Sequence, residues 1–387
     1  MRSSAFQVEL EKSVAEAKAR SIKVVVWDLD NTLWQGVLLE DDAVELRPGI
    51  LETVREIDRR GILQSISSKN DAAAAMRKLQ QLGIAEYFLY PQIHWNAKSE
   101  SLRTIAARIN VGIDTLAFID DQSFEREEVA FSHPQVLCID AAEVAGILER
   151  PELIPRFITE DSGKRRLMYR SDLERNTVEQ EFQGTKEEFL ATLGLELTIG
   201  PATEGDLQRA EELTRRTHQL NTTGYTYSYD ELRAFLASPD HQLLIASLED
   251  RFGTYGKIGL CLIERSRNYW TVKLLLMSCR VMSRGVGTIM MNHVMALAKR
   301  AGVTLRAEFV RTDRNRVMYV TYRLGNFQVR SESGDLLLLE NDCSTVAAFP
   351  AYAKVKIVGE PTQEERGARS RPTAEPVGRV LELAGAP

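Results

Sequence analysis

The stretch VVVWDLDNTLW, residues 24–34, decides the fold. Val24 to Trp27 make a run too short for a helix and apolar throughout, which reads as a buried strand. Asp28 and Asp30 follow as the backbone leaves that strand, two residues apart, with Asn31 and Thr32 behind them. The spacing has a chemical logic: one carboxylate attacks phosphorus while the other, as a carboxylic acid, protonates an alkoxide too basic to depart alone. Asp28 is expected to attack and Asp30 to donate. On its own the pattern also suits an Asx turn, so the ends of the neighbouring strands carry the decision.

Working outward, Pro48 and Gly49 open a helical segment with Ile50, Val54 and Ile57 on one face, and Gly61 leads into the strand ILQSIS (62–67). A helix through Met76, Leu79 and Leu82, a strand at FLY (88–90), a helix through Leu102, Ile105 and Ile109, and the strands TLAFI (115–119) and VLCI (136–139) continue the alternation. This predicts an α/β fold, a doubly wound parallel sheet that places its ligand at the carboxyl ends of the strands. The second strand ends in Ser67-Ser68-Lys69-Asn70, whose hydroxyls and N–H groups suit a phosphoryl oxygen; Ser68 is favoured because it directly precedes Lys69-Asn70. Lys98 precedes a helix, where a cation offsets phosphate charge. Asp120 and Asp121 follow another apolar strand, and adjacent carboxylates repel unless a cation sits between them and Asp28; oxygen-only ligation selects Mg²⁺. The expected metal set is Asp28, Asp30, Asp120 and Asp121, with Asp120 the stronger ligand, and Thr32, Ser68, Lys69 and Asn70 are expected around the phosphate. The gaps between these motifs leave no room for a cap domain, so the site should stand open to a bulky or protein-borne substrate.

A length of 387 residues asks for two domains. The expected division is an N-terminal helical extension (1–20), the phosphate-handling domain (21–150), a helical linker (151–195), an α+β domain (196–357) and a disordered tail (358–387). A formal charge of −6 and a pI near 5.6 remove the general attraction to nucleic acid. No apolar run approaches the ~20 residues of a membrane span, and the charged N-terminus is unlike a signal peptide, so a cytoplasmic protein without membrane partners is expected. Cys138, Cys261, Cys279 and Cys343 lie far apart with no CxxC pair, which argues for free thiols.

The four strand-end motifs, DLDNT, the serine of SSKN, Lys98 and IDD, resemble in order those of the haloacid-dehalogenase superfamily. That resemblance implies an aspartyl-phosphate on Asp28, acid and base chemistry by Asp30, and a metal between the first and last motifs. Wider stretches, WDLDNTLWQGVLLED, IHWNAKSESL and FIDDQSFEREEV, and then LNTTGYTYS, DRFGTYGKIGL and LLMSCRVMSRGVG, resemble the FkbH-like proteins of polyketide pathways over about residues 20 to 357. Such proteins take the glyceryl unit of 1,3-bisphosphoglycerate, remove its phosphates and load it on an acyl carrier protein. The carboxyl half is similar to the GNAT acyltransferase fold, with RGVG as its glycine turn and Asn315, Tyr322 and Gly325-Phe327 later. Met282 stands where acetyl-CoA enzymes usually carry Gln or Arg, which points away from acetyl-CoA and toward a phosphopantetheine arm.

In that half, Cys279 is the candidate nucleophile. Arg280, Arg284 and the helix expected to start at Gly285-Val286-Gly287 should lower its pKa and favour the attacking thiolate. His218 and His293 are candidates for its base by position alone, and Asn315 for the acyl site. The basic residues Arg280, Arg284, Lys299, Arg300, Arg306, Arg311, Arg314, Arg316 and Arg323 suit an acidic carrier protein or a phosphorylated donor. Two other readings compete: a plain phosphatase with a partner-binding rear domain, and a CoA-dependent acyltransferase with a regulatory front domain.

Overall fold

The computed structural model describes residues 21–40, 43–217 and 219–359. The expected extension over 1–20, His218, and all but the first two residues of the expected tail lie outside them.

In chain order the first unit comprises β1 (Val24–Trp27), a two-stranded flap of β2 (Trp34–Gln35) and β3 (Glu45–Leu46), α1 (Ile50–Arg59), β4 (Leu63–Ser68), α2 (Ala72–Gln81), β5 (Gln92–Ile93), α3 (Lys98–Ile109), β6 (Leu116–Asp120), α4 (Ser123–Ser132) and β7 (Leu137–Asp140). The sheet runs β5-β4-β1-β6-β7 and every pairing is parallel. β1 is central, with Val24 opposite both Leu63 and Leu116. Its alternation feeds two cores. Val25 and Trp27 pack with Val54, Ile57 and Leu79 of α1 and α2, whereas Val24 and Val26 pack with Leu102, Ile105 and Val129 of α3 and α4. Each such side chain, fully buried, stabilises by roughly 1.5–3 kcal/mol, so both helix layers are held to one four-residue strand. The doubly wound α/β sheet is therefore as expected, without a cap; the flap and α1 fill the first gap.

One expected strand moves. Phe88 makes a single bridge to Gln64, but Tyr90 takes φ +52 and Pro91 follows, so the edge strand forms at Gln92–Ile93 instead of 88–90. A left-handed residue followed by a residue without an N–H cannot continue a ladder.

The chain crosses over through α5 (Glu160–Gly163), α6 (Arg165–Glu181) and α7 (Lys186–Leu193), the last opened by a Thr185–Glu188 capping box. The second unit comprises β8 (Leu195–Pro201), α8 (Leu207–Arg216), α9 (Tyr229–Ala237), β9 (His241–Asp250), β10 (Gly253–Arg265), β11 (Tyr269–Met277), α10 (Val286–Ala301), β12 (Thr304–Val310), α11 (Arg316–Leu324), β13 (Gln328–Ser333), β14 (Leu336–Asn341) and β15 (Ala353–Ile357). Its sheet order is β13-β14-β12-β11-β10-β9-β8-β15, antiparallel except at β11–β12 and β8–β15. α10 packs on one face and α8 with α9 on the other.

β11 and β12 pair only from Tyr269–Val272 against Thr304–Ala307. Beyond that they part, and Leu220–Thr222 fills the gap: Met277 N–H donates to Leu220 O (2.9 Å), Leu275 N–H to Thr222 Oγ1 (3.0 Å) and Val310 N–H to Thr222 O (3.0 Å).

The crossing helices touch both sheets. Gly61, at φ +70, lies so close to Ser162 that a Cβ there would meet its side chain at 2.6 Å. Arg165 donates to Gly61 O (2.7 Å) and Arg166 pairs with Asp58 (3.0 Å), while the fully buried Arg175 pairs with Asp250 (2.8 Å) of β9. Among the described residues no helix is long and apolar enough to cross a membrane.

Candidate active site

Two parallel strands and one helix deliver charge to a single point at the carboxyl edge of the first sheet. Asp28 is the first residue after β1, and its N–H still donates to Ile119 O (2.9 Å), which fixes it beside the end of β6. Asp120 is the last residue of β6 and is fully buried. Lys98, the first residue of α3, reaches back between them: its Nζ donates to Asp28 Oδ1 (2.7 Å) and to Asp120 Oδ2. Burial pushes the Asp28 carboxyl up to about 7, against the pull of Lys98. Burial likewise raises Asp120, and Lys98 keeps its proton more tightly than usual because Asp28 and Asp120 outweigh the effect of its own burial.

Asp121 completes the cluster. Carboxylate oxygens of Asp28, Asp120 and Asp121 lie within 4.8 Å of one another, and Asp121 Oδ1 is buried with no hydrogen-bond partner. Three carboxylates and one ammonium leave a formal charge of −2 in a buried pocket, which one divalent cation cancels. An all-oxygen set with an orphaned oxygen fits a hard cation such as Mg²⁺. Asp30 is not in this group.

Asp30 faces the flap. Its Oδ1 accepts from Trp34 Nε1 (2.7 Å) and Leu38 N–H (3.1 Å), and its Oδ2 from Asn70 Nδ2 (2.9 Å). Three donors, two from the flap and one from the turn after β4, fix the orientation of a carboxylate two residues from the nucleophile candidate. The same contact shows where Asn70 points. Thr32 is buried and its Oγ1 accepts from Asp121 N–H (3.1 Å), tying the first loop to the last. Lys69 departs from expectation: its Nζ pairs with Glu125 Oε1 (2.7 Å) on α4, because that carboxylate is itself buried and draws the cation to it. Ser67 Oγ is buried without a partner, and Ser68 closes β4, 3% exposed, with its carbonyl taking His94 N–H (3.0 Å). By strand alternation Ser67 lies on the α3 face and Ser68 on the α1 face.

Sequence reasoning overlooked Arg126, which donates to Asp120 O (2.8 Å) and pairs with Asp140, clamping the β6 and β7 ends. Its place six residues after Asp120, on a helix that starts at a site, was the available signal.

The second unit differs more from expectation. β11 ends at Met277, and Cys279 begins a short 3₁₀ turn, Cys279–Val281, seven residues before α10. Burial pushes its thiol up rather than down. The two arginines face elsewhere. Arg280 donates to Tyr255 O (2.7 Å), and Arg284 is buried and pairs with Glu179 of α6 (3.1 Å). The charge that does oppose the burial of the thiol comes from Lys23, just before β1 of the first unit. Lys23 Nζ also touches Arg216 O (3.4 Å) at the end of α8. Lys23 and Asp28 are thus at opposite ends of β1, separated by five residues of extended chain, ~16 Å.

The glycine turn is packed rather than open. Gly285 caps α10 at φ +73, and a Cβ there would meet Tyr352 Oη at 2.2 Å; Gly287 lies against Met277 and Thr321. Asn315 is structural: its Nδ2 donates to Val310 O (2.8 Å) and Asn221 O (3.1 Å), pinning the segment that fills the β11–β12 gap. His293 is buried on α10, and His218 lies outside the described residues. The expected basic face is dispersed into pairs, Arg306–Glu340, Arg311–Glu332 and Arg314–Asp313, with Lys299 on Ser344 O and Arg323 on Phe327 O. All four cysteines are free thiols.

No family model and no curated protein matches the chain. Among solved structures, the N-terminal part of BF1531 from Bacteroides fragilis, which contains a phosphatase domain complexed with Mg, is 26% identical over 37% of this chain and 43% of that one, at a TM-score of 0.32. The chain therefore spans less than half of that protein. PaiA N-acetyltransferase from Thermoplasma acidophilum, in complex with coenzyme A, is 18% identical over 38% of this chain and 98% of that one (TM-score 0.32). The ribosomal-protein-S18-alanine N-acetyltransferase from Escherichia coli is 14% identical over 37% and 92% (TM-score 0.31). The strand orders described above divide the chain into a five-stranded parallel sheet and an eight-stranded mixed sheet.

Proposed function

We propose that the chain is a Mg²⁺-dependent phosphatase coupled to an acyl transferase, which takes the glyceryl unit from 1,3-bisphosphoglycerate, dephosphorylates it and loads it on the thiol of an acyl carrier protein. The observation that carries the phosphatase half is the buried Asp28–Lys98–Asp120 bridge with Asp121 Oδ1 left over beside it. Asp28, Asp120 and Asp121 would hold the cation, which when bound offsets charge on the phosphoryl oxygens and on the approaching carboxylate. Asp28 attacks phosphorus; Lys98 holds its carboxylate toward the substrate; Asp30, oriented by Trp34, Leu38 and Asn70, gives a proton to the departing oxygen. The hydroxyl of Ser68 at the end of β4 and the N–H groups of the turn after it receive the phosphoryl oxygens.

The transfer half rests on Cys279 at the end of β11 and on the resemblance of the flanking stretches. Its test is intact-protein mass spectrometry after incubation with 1,3-bisphosphoglycerate and Mg²⁺. A covalent glyceryl or phosphoglyceryl adduct that Cys279→Ala lacks is expected. An adduct undiminished in Cys279→Ala overturns the thiol's role, and retained phosphate release in Asp28→Asn overturns that of the carboxylate.

A second reading, a phosphatase whose rear unit only binds a partner, is favoured by one feature. Tyr352 and Glu179 close on the glycine turn that would otherwise receive a pyrophosphate. Loading of a carrier protein in the same experiment separates the two.

A further inference from the structure

Where the two units meet, positive charge is left without a partner. Arg165 of α6 and Arg209 of α8 are each 6% exposed and both close on Glu212, Arg209 at 2.7 Å. Thr159 Oγ1 donates to the same carboxylate (3.2 Å), so its oxygens are taken. Arg216, the last residue of α8, stands 3.9 Å from Glu212 and donates no hydrogen bond to the described residues. Lys23 comes from the other unit. Its backbone is fixed, with its N–H on Thr115 O (2.8 Å) and its carbonyl taking Leu63 N–H (2.9 Å), and its Nζ reaches Arg216 O (3.4 Å). Among the described residues no carboxylate lies within 4.0 Å of that amine.

The neighbouring carboxylates are spent elsewhere. Asp161 pairs with Arg209 (2.9 Å), Glu211 holds Arg156 (3.0 Å) and Arg215 (2.8 Å), and Asp206 holds the Lys257 amine. Arg165, Arg209, Arg216 and Lys23 therefore share Glu212 and Asp161, which leaves a formal surplus of two positive charges. Charge withdrawn from water is ordinarily matched, and a surplus of this sign and size suits a dianion. The Arg216 side chain is 24% exposed and Lys23 is half-buried, so the cluster opens to solvent on that side.

From these contacts we propose that the junction binds a phosphoryl dianion, free phosphate or the phosphate group of a monoester, between Lys23 and Arg216. A guanidinium offers paired donors to phosphate oxygens and an ammonium a compact charge, while Arg165 and Arg209, held by Glu212, add charge from behind. The ligand would tie the start of β1 to the end of α8, and so one unit to the other. The proposal goes beyond the function proposed above and holds whether or not Cys279 forms a thioester. The mutual repulsion of the cations accords with it. Burial and then Arg216 hold the Lys23 amine down at about 8, with Arg165 adding to the effect and Asp114 and Cys279 opposing it. Burial and then Arg165 likewise lower the Arg216 guanidinium, against the pull of Glu212.

The test is isothermal titration of the full-length protein in EDTA with inorganic phosphate and, separately, with glycerol 3-phosphate. Without metal the Asp28, Asp120 and Asp121 pocket repels both anions. Lys23→Gln and Arg216→Gln should each weaken binding about tenfold, the loss of one charge-assisted bond. Tighter binding of the ester than of phosphate identifies a monoester as the ligand, and the reverse identifies free phosphate. Absence of binding by either anion, or an affinity unchanged in either variant, overturns the proposal. Should the variants not fold, the wild-type protein decides. Phosphate should slow acetylation of the Lys23 amine about tenfold, read by peptide mass spectrometry, and leave that of the exposed Lys186 unchanged. A lysine that only caps the end of α8 would acetylate at the same rate with and without phosphate, and that result refutes the site.

Discussion

Asp28→Asn should make the metal-free protein more stable while destroying its phosphatase chemistry. Asp28 is 5% exposed and shares one ammonium with Asp120, so above neutral pH the folded chain holds more buried negative charge than Lys98 can match. Burial raises the Asp28 carboxyl from 3.8 to about 7. The sign follows from linkage. A carboxyl raised in the folded state costs nothing below pH ~4, where both states are protonated, and its penalty grows to full size above pH ~7. Three units correspond to about 4 kcal/mol, a net figure that already includes the pull of Lys98. A gain of at most about 4 kcal/mol is expected for Asp28→Asn at pH 8 in EDTA, shrinking toward pH 5. Urea titrations at the two pH values measure it. Mg²⁺ should narrow that gain, since ligand at 100 times its Kd adds about 2.7 kcal/mol to the form that binds it. An Asp28→Asn protein less stable than wild type in EDTA at pH 8, or a difference that ignores pH, refutes the description of the site as an overcharged cation pocket.

Other outcomes follow from the same geometry. Asp30→Asn should slow hydrolysis of alkyl phosphates by at least ~100-fold and of aryl phosphates much less, because an activated leaving group does not need the acid; equal losses in steady-state rates contradict that role. EDTA should abolish phosphate release and Mg²⁺ restore it, while Asp121→Asn should raise the Mg²⁺ concentration needed for half activity, read by titration. At the junction, Glu212 accepts from Arg209 (2.7 Å) and Arg165, and these arginines with Arg216 overcome its burial and hold its carboxyl far below the usual range. Its contribution is present above pH ~4 and lost as pH falls further, so Glu212→Gln should cost about 3–5 kcal/mol at pH 7, a deficit that narrows in acid unfolding curves.

What was legible in the sequence is what local pattern determines. A four-residue apolar run can only be a strand buried on both faces here, and strand ends of a parallel sheet converge, so Asp28, Lys98, Asp120 and Asp121 could be placed together from their order alone. Directions of side chains at the ends of elements were not legible. Lys69 turns to Glu125 across 56 residues, and Arg284 to Glu179 across 105, because each cation follows a carboxylate that the fold brings beside it and not its sequence neighbours. Tyr90 shows the backbone version: nothing in FLY announces a left-handed residue, yet it displaces the edge strand.

Under the proposed function, the arrangement also constrains how the two chemistries would cooperate. A strand has two ends, and each end of β1 faces different neighbours: the carboxyl end presents Asp28 beside Asp120, and Lys23, just before the amino end, reaches Arg216 O of α8 (3.4 Å). The sheet between them is packed solid, with Val24 to Trp27 all fully buried, so no small molecule passes through it. Transfer of an acyl group between Cys279 and Asp28 would then run around the outside of the sheet, on a free intermediate or on a long flexible arm. A carrier-borne pantetheine thiol would be such an arm, and a site without a cap would leave it room to enter.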